Sequence, residues 1–142
     1  MSSSSPRPTA GYSKTPLVKK LGLKPGMQAA FIDAPDHYDD LLGPLPDEVE
    51  VRTDLRARRD FIHVFARRES DLAKRLAAVR RSLRPDGLVW LSWPKKTSSL
   101  ATDLDGGAIR RLGQEAGLVD TKVCAVDQDW SGHKFVVRLA DR

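Results

Sequence analysis

Apolar positions recur along the chain in two rhythms. Short apolar runs bounded by turn residues alternate with stretches where Leu, Val and Ala return every three to four positions. Gln28 to Asp33 follows Pro25-Gly26 and reads as a first strand. Asp36 to Leu42, stopped by Gly43-Pro44, reads as a helix of about two turns. Val49 to Thr53 and Phe61 to Ala66 read as strands two and three. The third is apolar on both faces except at His63, which predicts a satisfied core histidine in a strand covered on both sides. Leu72, Leu76, Val79 and Leu83 fall at i, i+4, i+7 and i+11, the stripe of an amphipathic helix. Pro85-Asp86-Gly87 is expected to end that helix and turn into strand four, Leu88 to Trp93, closed by Pro94.

A loop from Lys95 to Ala101 precedes another helical stripe, Leu104, Ala108, Leu112 and Ala116, ended by Gly117. Thr102 with Asp105 three residues on resembles a capping box. Val119 to Asp127 is strand five, Asp129-Trp130-Ser131-Gly132 the turn, and Lys134 to Ala140 strand six, with Phe135, Val137 and Leu139 on one face. The short link makes strands five and six an antiparallel hairpin. Near the start, Thr15 caps and Gly22 ends a short helix whose Leu17, Val18 and Leu21 share a face. Residues 1–10, rich in Ser and Pro, are expected to be a disordered tail, and 11–142 a single domain.

Strands alternating with helices define an α/β sheet of about six strands, mostly parallel, with helices on both faces. One link strains this picture. Asp54 to Asp60 must join strands two and three, and seven extended residues reach roughly 24 Å, just enough to skip one strand. Either the link is stretched and helix-free, or strand two is not parallel.

Composition narrows the class. The chain has 142 residues, 40 % hydrophobic and 30 % charged, with a formal net charge of +5. No apolar run approaches the ~20 residues of a spanning helix, so no membrane partner is expected. The N-terminus lacks an apolar h-region, which argues against a secretory signal. The lone Cys124 forms no intrachain disulfide and is expected to be a structural thiol; with the missing signal, it points to the cytoplasm. The positive charge suits an anionic ligand, an acidic protein or nucleic acid.

Ligands of open α/β sheets bind beyond the C-terminal strand ends. That rule collects Asp33, Asp36, His37, Asp54, Arg67 and the loop Lys95-Lys96-Thr97-Ser98-Ser99. The loop places two ammonium groups and three hydroxyls before a helix, a setting for phosphate or carboxylate. Asp33, Asp36 and His37 are candidates for an acid/base group, although Asp36 reads equally as a helix cap. Trp130 either covers the sheet end or stacks on a partner, with burial the favoured reading. Trp93, near its strand end, is a candidate pocket residue. The Arg-rich helix surface, Arg67, Arg68, Lys74, Arg75, Arg80, Arg81 and Arg84, reads as phosphate contacts or as a solvated face interrupted by Glu69 and Asp71. His37, His63, His133 and Cys124 lack zinc-site spacings, so no metal is expected.

"LRPDGLVWLSWPK" resembles the helix, Pro-x-Gly turn and strand of class I methyltransferases, a Rossmann-like fold, and "AGLVDTKVCAV…WSGHKFVVRL" is similar to their last two strands. "GYSKTPLVKKLGLKPG", "WPKK" and "KVCAVDQDWSGHKFVVRL" resemble the bacterial domain of unknown function numbered 3052. The first resemblance implies a cofactor, S-adenosylmethionine, held by a Gly-rich turn after strand one and an acid after strand two. Here the turn is Asp33-Ala34-Pro35, and Pro35 lacks an N–H; Asp54 stands where the acid would be. One strand of the usual set is missing. These departures point to a non-catalytic, degenerate domain without a cofactor. It would bind a protein partner or an anionic small molecule at the strand ends, through Asp33, His37, Asp54, Lys95, Lys96, Ser98 and Trp130. A reduced S-adenosylmethionine-dependent methyltransferase and a nucleic-acid binder are the alternatives.

Overall fold

The computed structural model describes residues 15–142. The Ser- and Pro-rich tail, 1–10, lies outside them. The elements run α1 (Leu17–Leu21), β1 (Gln28–Ile32), α2 (Tyr38–Leu42), β2 (Glu50–Arg52), β3 (Arg59–Phe65), α3 (Glu69–Ser82), β4 (Leu83–Pro94), α4 (Gly106–Glu115), β5 (Leu118–Ala125) and β6 (Trp130–Val137), with a closing 3₁₀ turn, Leu139–Asp141. The six strands form one sheet in the order β2-β1-β3-β4-β6-β5. β2, β1, β3 and β4 are parallel, and β6 runs antiparallel to both β4 and β5.

Strand two is parallel, so the stretched alternative holds. β2 pairs with β1 from Gln28↔Glu50 to Ala30↔Arg52, and the chain then passes β1 without a helix to start β3 on its other side.

Each face carries its own core. On one, Ile32, Ile62, Val64, Leu91 and Phe135 meet Leu72, Leu76 and Val79 of α3 and Ile109 and Leu112 of α4. On the other, Phe31, Phe61, Phe65 and Trp90 meet Leu21 and the α2 residues Tyr38 and Leu42. The three layers follow from strands apolar on both sides. The Trp90 indole N–H donates to the Leu21 carbonyl at 2.7 Å and ties α1 to the sheet. Gly22, at φ 87°, ends α1 in a Schellman arrangement: Leu23 N–H donates to Val18 and Gly22 N–H to Lys19.

Several boundaries differ from the sequence reading. Pro85-Asp86-Gly87 does not separate helix from strand: β4 begins at Leu83, pairs with Arg59, and bulges before resuming at Phe61↔Leu88. Gly87 permits this, because a Cβ there would lie 2.8 Å from the Asp60 carbonyl oxygen. α4 is capped by Asp105, whose side chain accepts from Ala108 N–H; Thr102 lies upstream, donates to the Arg67 carbonyl and accepts from Leu104 N–H. Trp130 to Gly132 belong to β6 and not to the hairpin turn. Leu139 is 80 % exposed because the strand ends before it. No helix among the described residues is long and apolar enough to cross a membrane.

Candidate functional site

α2 and α3 leave β1 and β3 toward opposite faces of the sheet, which opens a crevice at their C-terminal ends. The crevice has a volume of about 630 Å³ and is lined by Asp33, Phe65, Ala66, Arg67, Asp71, Lys74, Arg75 and Trp130. Asp33 follows β1; Phe65 ends β3, and Ala66 and Arg67 follow it; Asp71, Lys74 and Arg75 share one face of α3 through their i, i+3 and i+4 spacing. Trp130 opens β6 and is 6 % exposed, its ring edge-on to Phe65 at 5.2 Å. The wall is apolar and the rim charged.

The rim charges differ in how far they are satisfied. Arg75 donates to Asp33 at 2.8 Å. Arg67 uses Nε on the Ala101 carbonyl, which leaves its terminal nitrogens available. Among the described residues, Lys74 has no carboxylate within ion-pair distance. Asp33 itself sits at φ 57°, the left-handed region that glycine usually fills and Asp tolerates better than most residues. The turn after β1 therefore keeps a glycine-like backbone but carries a carboxylate.

The residues singled out from sequence separate in space. Asp33 and Trp130 line the crevice, together with Arg67, Lys74 and Arg75 of the Arg-rich surface. Asp54 lies instead beside a depression along the β2 edge and accepts from its own loop, from Arg56 N–H at 3.1 Å. Ser98 donates to Asp129 Oδ1 at 2.9 Å and accepts from Leu100 N–H, while Lys95 N–H donates to the Asp129 carbonyl. The Lys95–Ser99 loop is thus folded onto the β5–β6 hairpin, and neither Lys95 nor Lys96 lines the crevice. Trp93 packs in the core by α4, where Gly106 approaches its ring, and not in a pocket.

His37 does not group with Asp33 and Asp36. Its Nε2 lies 2.7 Å from Asp127 Oδ2, on the hairpin. Asp127 was not legible as a partner, because the two residues are 90 positions apart. Sequence reasoning took Asp71 only as an interruption of the Arg-rich surface and not as a crevice residue; the signal was its place three and four residues before Lys74 and Arg75, in the helix leaving β3. Among the described residues, no group of three or more His, Cys, Asp or Glu side chains is arranged to hold a metal ion. Burial pushes the Cys124 thiol pKa up, as suits a structural cysteine.

The sheet order and the crevice define the Rossmann-like methyltransferase fold. The chain is similar to an S-adenosylmethionine (SAM)-dependent methyltransferase from Aquifex aeolicus, with 14 % identity, a TM-score of 0.64 and coverage of 86 % of this chain and 88 % of that one. It is also similar to a TehB-like SAM-dependent methyltransferase from Corynebacterium glutamicum, with 12 % identity, TM-score 0.53 and 91 % of each chain covered. Magnesium protoporphyrin IX methyltransferase from Synechocystis with bound SAM aligns at 10 % identity and TM-score 0.56, over 86 % of this chain and 74 % of that one. At such identities the likeness concerns the fold. Residues 19–139 match the family described as Protein of unknown function (DUF3052), and the chain belongs to that family. No curated protein matches it.

Proposed function

We propose that this protein is a non-catalytic, methyltransferase-like domain that binds an anionic small molecule in the crevice at the ends of β1 and β3. The observation that carries this reading is the convergence of Arg67, Lys74 and Arg75 over an aromatic wall, with Lys74 and the Arg67 terminal nitrogens unpaired among the described residues. A phosphate or carboxylate suits those cations, and Phe65 and Trp130 offer apolar contact to the rest of the ligand. The volume favours a small molecule over a protein segment, since ligand pockets span roughly 300–1,000 Å³. The positions that the methyltransferase resemblance assigns to a cofactor are engaged otherwise. Asp33 is paired with Arg75, Pro35 offers no N–H, and Asp54 holds its own loop.

Calorimetry with ATP, inorganic phosphate, S-adenosylmethionine and S-adenosylhomocysteine tests this. A phosphate-bearing ligand is expected to bind, and Lys74→Ala to weaken it by about tenfold, the loss of one charge-assisted contact. The second reading, a reduced S-adenosylmethionine-dependent methyltransferase, draws on the left-handed backbone at Asp33, which gives the turn the shape a glycine would. Micromolar S-adenosylmethionine binding unaffected by Lys74→Ala would sink the first reading in favour of the second.

A further inference from the structure

Every ion pair among the described residues uses arginine or histidine as its cation, and no lysine takes part. Several of these unpaired lysines gather at one place. In the β5–β6 register Lys122 lies directly opposite Lys134. Lys134 in turn pairs with Trp90 of β4, a member of the α1-side core, so both lysines project on the α1 side of the sheet. Lys20 of α1 reaches over the same face to donate to the Ala125 carbonyl at 3.3 Å. Lys24, just beyond α1, adds to the field: partial burial lowers the Lys134 pKa, and repulsion from Lys122 and Lys24 lowers it further. α4 covers the opposite face of these strands, while Lys122 and Val119 are exposed. Like charges directly opposite one another destabilise a sheet, so the arrangement runs against folding.

We infer that Lys20, Lys24, Lys122 and Lys134 form a docking surface for the phosphodiester backbone of a nucleic acid, bound without regard to sequence. The chemistry selects this partner over others. Lysine is a point charge suited to phosphate contacts that position without specifying. Protein interfaces are depleted in lysine and anchored by exposed Trp, Tyr or Arg, whereas the cations here are lysines and every described Trp and Tyr is buried. A membrane surface would call for an amphipathic helix carrying apolar anchors, whereas this face is built on two strands. Every Phe, Tyr and Trp ring among the described residues is buried, Trp90 beside Lys134 included, so base stacking is not offered and duplex is the expected form. None of the four lines the crevice, and the inference stands apart from the small-molecule reading.

The test is titration of the full chain with a fluorescent duplex of roughly 20 base pairs across a salt series, since contacts to about four phosphates give a log–log slope near −3.6. Lys122→Gln/Lys134→Gln is expected to weaken low-salt binding by about tenfold or more and flatten the slope by about 1.8. Its thermal midpoint should hold or rise, because a repulsive pair is removed. Lys20→Gln/Lys24→Gln, on a different element, should weaken binding in the same way and keeps the test open if the first variant misfolds. Absence of binding at low salt overturns the inference. So does binding unchanged in both variants, an equal loss in Lys95→Gln/Lys96→Gln, or displacement by poly-glutamate as efficient as by unlabelled duplex.

Discussion

The Tyr38 hydroxyl lies 2.6 Å from Nδ1 of His63, and on the other side of the ring Nε2 lies 2.7 Å from Ser92 Oγ. The three side chains belong to α2, β3 and β4 and are buried. Both hydroxyls can donate or accept, so either neutral tautomer leaves the two ring nitrogens partnered. A charged imidazole would be desolvated there, and burial lowers the His63 pKa to about 3. Tyr38 is likewise held neutral, its pKa pushed well above the usual range, mainly by burial. The group lies inside the aromatic cluster of Phe61 and Phe65, where it fixes how α2 sits on the sheet.

Stability should therefore fall with acid through His63. Its folded pKa is about 3 and lies below the unfolded value of 6.5, so the unfolded chain takes up the proton first. The contribution is intact above about pH 6.5 and lost as pH falls toward about 3, at about 1.4 kcal/mol per pH unit between them. Urea unfolding at several pH values checks this by comparison with His63→Gln. The variant should be less stable at neutral pH but lose less between about pH 6.5 and 4.5. Parallel pH profiles would contradict the assignment.

Tyr38→Phe removes one partner and leaves the other in place. A buried ring nitrogen without its hydrogen bond costs about 1–3 kcal/mol. The loss should appear as a lower urea midpoint with an unchanged m-value.

Gly113 reverses the usual helix rule. On an open helix, Gly→Ala gains about 1 kcal/mol. Here a Cβ would run into the Phe135 ring, which is fully buried under α4. Gly113→Ala is expected to destabilise by about 1–3 kcal/mol, the range of overpacked cores. A thermal midpoint at or above that of the parent protein would show that α4 can shift outward.

The apolar periods carried most of the architecture. The stripes at Leu72–Val79 and around Leu112, and the double-faced strand at Phe61–Phe65, are local patterns that tertiary packing reinforces. What escaped depends on neighbours distant in sequence. Pro85-Asp86-Gly87 has the chemistry of a turn, yet Arg59 and Asp60 provide an edge on which β4 bulges and continues. Thr102 and Asp105 both suit a cap, and only the path of the chain past Arg67 decides between them. The crevice was half legible. Asp33, Trp130 and the α3 cations stood out by type, but grouping them required the strand order. Ser98 and Asp54 were sound guesses by position whose hydroxyl and carboxylate turn to local loop partners.

Asp33 offers a test of backbone against charge. At φ 57° a residue with a Cβ is strained by roughly 1 kcal/mol, and Asp and Asn less than others. Asp33→Gly should be at least as stable as the parent protein. Asp33→Ala should lose about 1 kcal/mol, because it keeps the Cβ and gives up the side chain that tolerates this region. The ion pair to Arg75 contributes little to the difference, as both partners are about half exposed. Equal stability of the two variants would mean that the turn relaxes out of the left-handed region.

The pair of His37 and Asp127 looks like a catalytic dyad, but its two members hold the structure unequally. Asp127 is buried, and its Oδ1 accepts from both Asp129 N–H and Trp130 N–H, so the carboxylate shapes the hairpin that presents Trp130 to the crevice. His37 is substantially exposed and meets the other oxygen from the loop before α2. Asp127→Ala should cost about 1–3 kcal/mol, because it strands two backbone donors, one of them buried. His37→Ala should cost under about 1 kcal/mol, the scale of an exposed pair. A double-mutant cycle separates the terms: if Asp127 acts mainly through the hairpin, the coupling energy stays well below the cost of Asp127→Ala alone. A coupling as large as that cost would instead make the His37–Asp127 contact the reason the carboxylate is there.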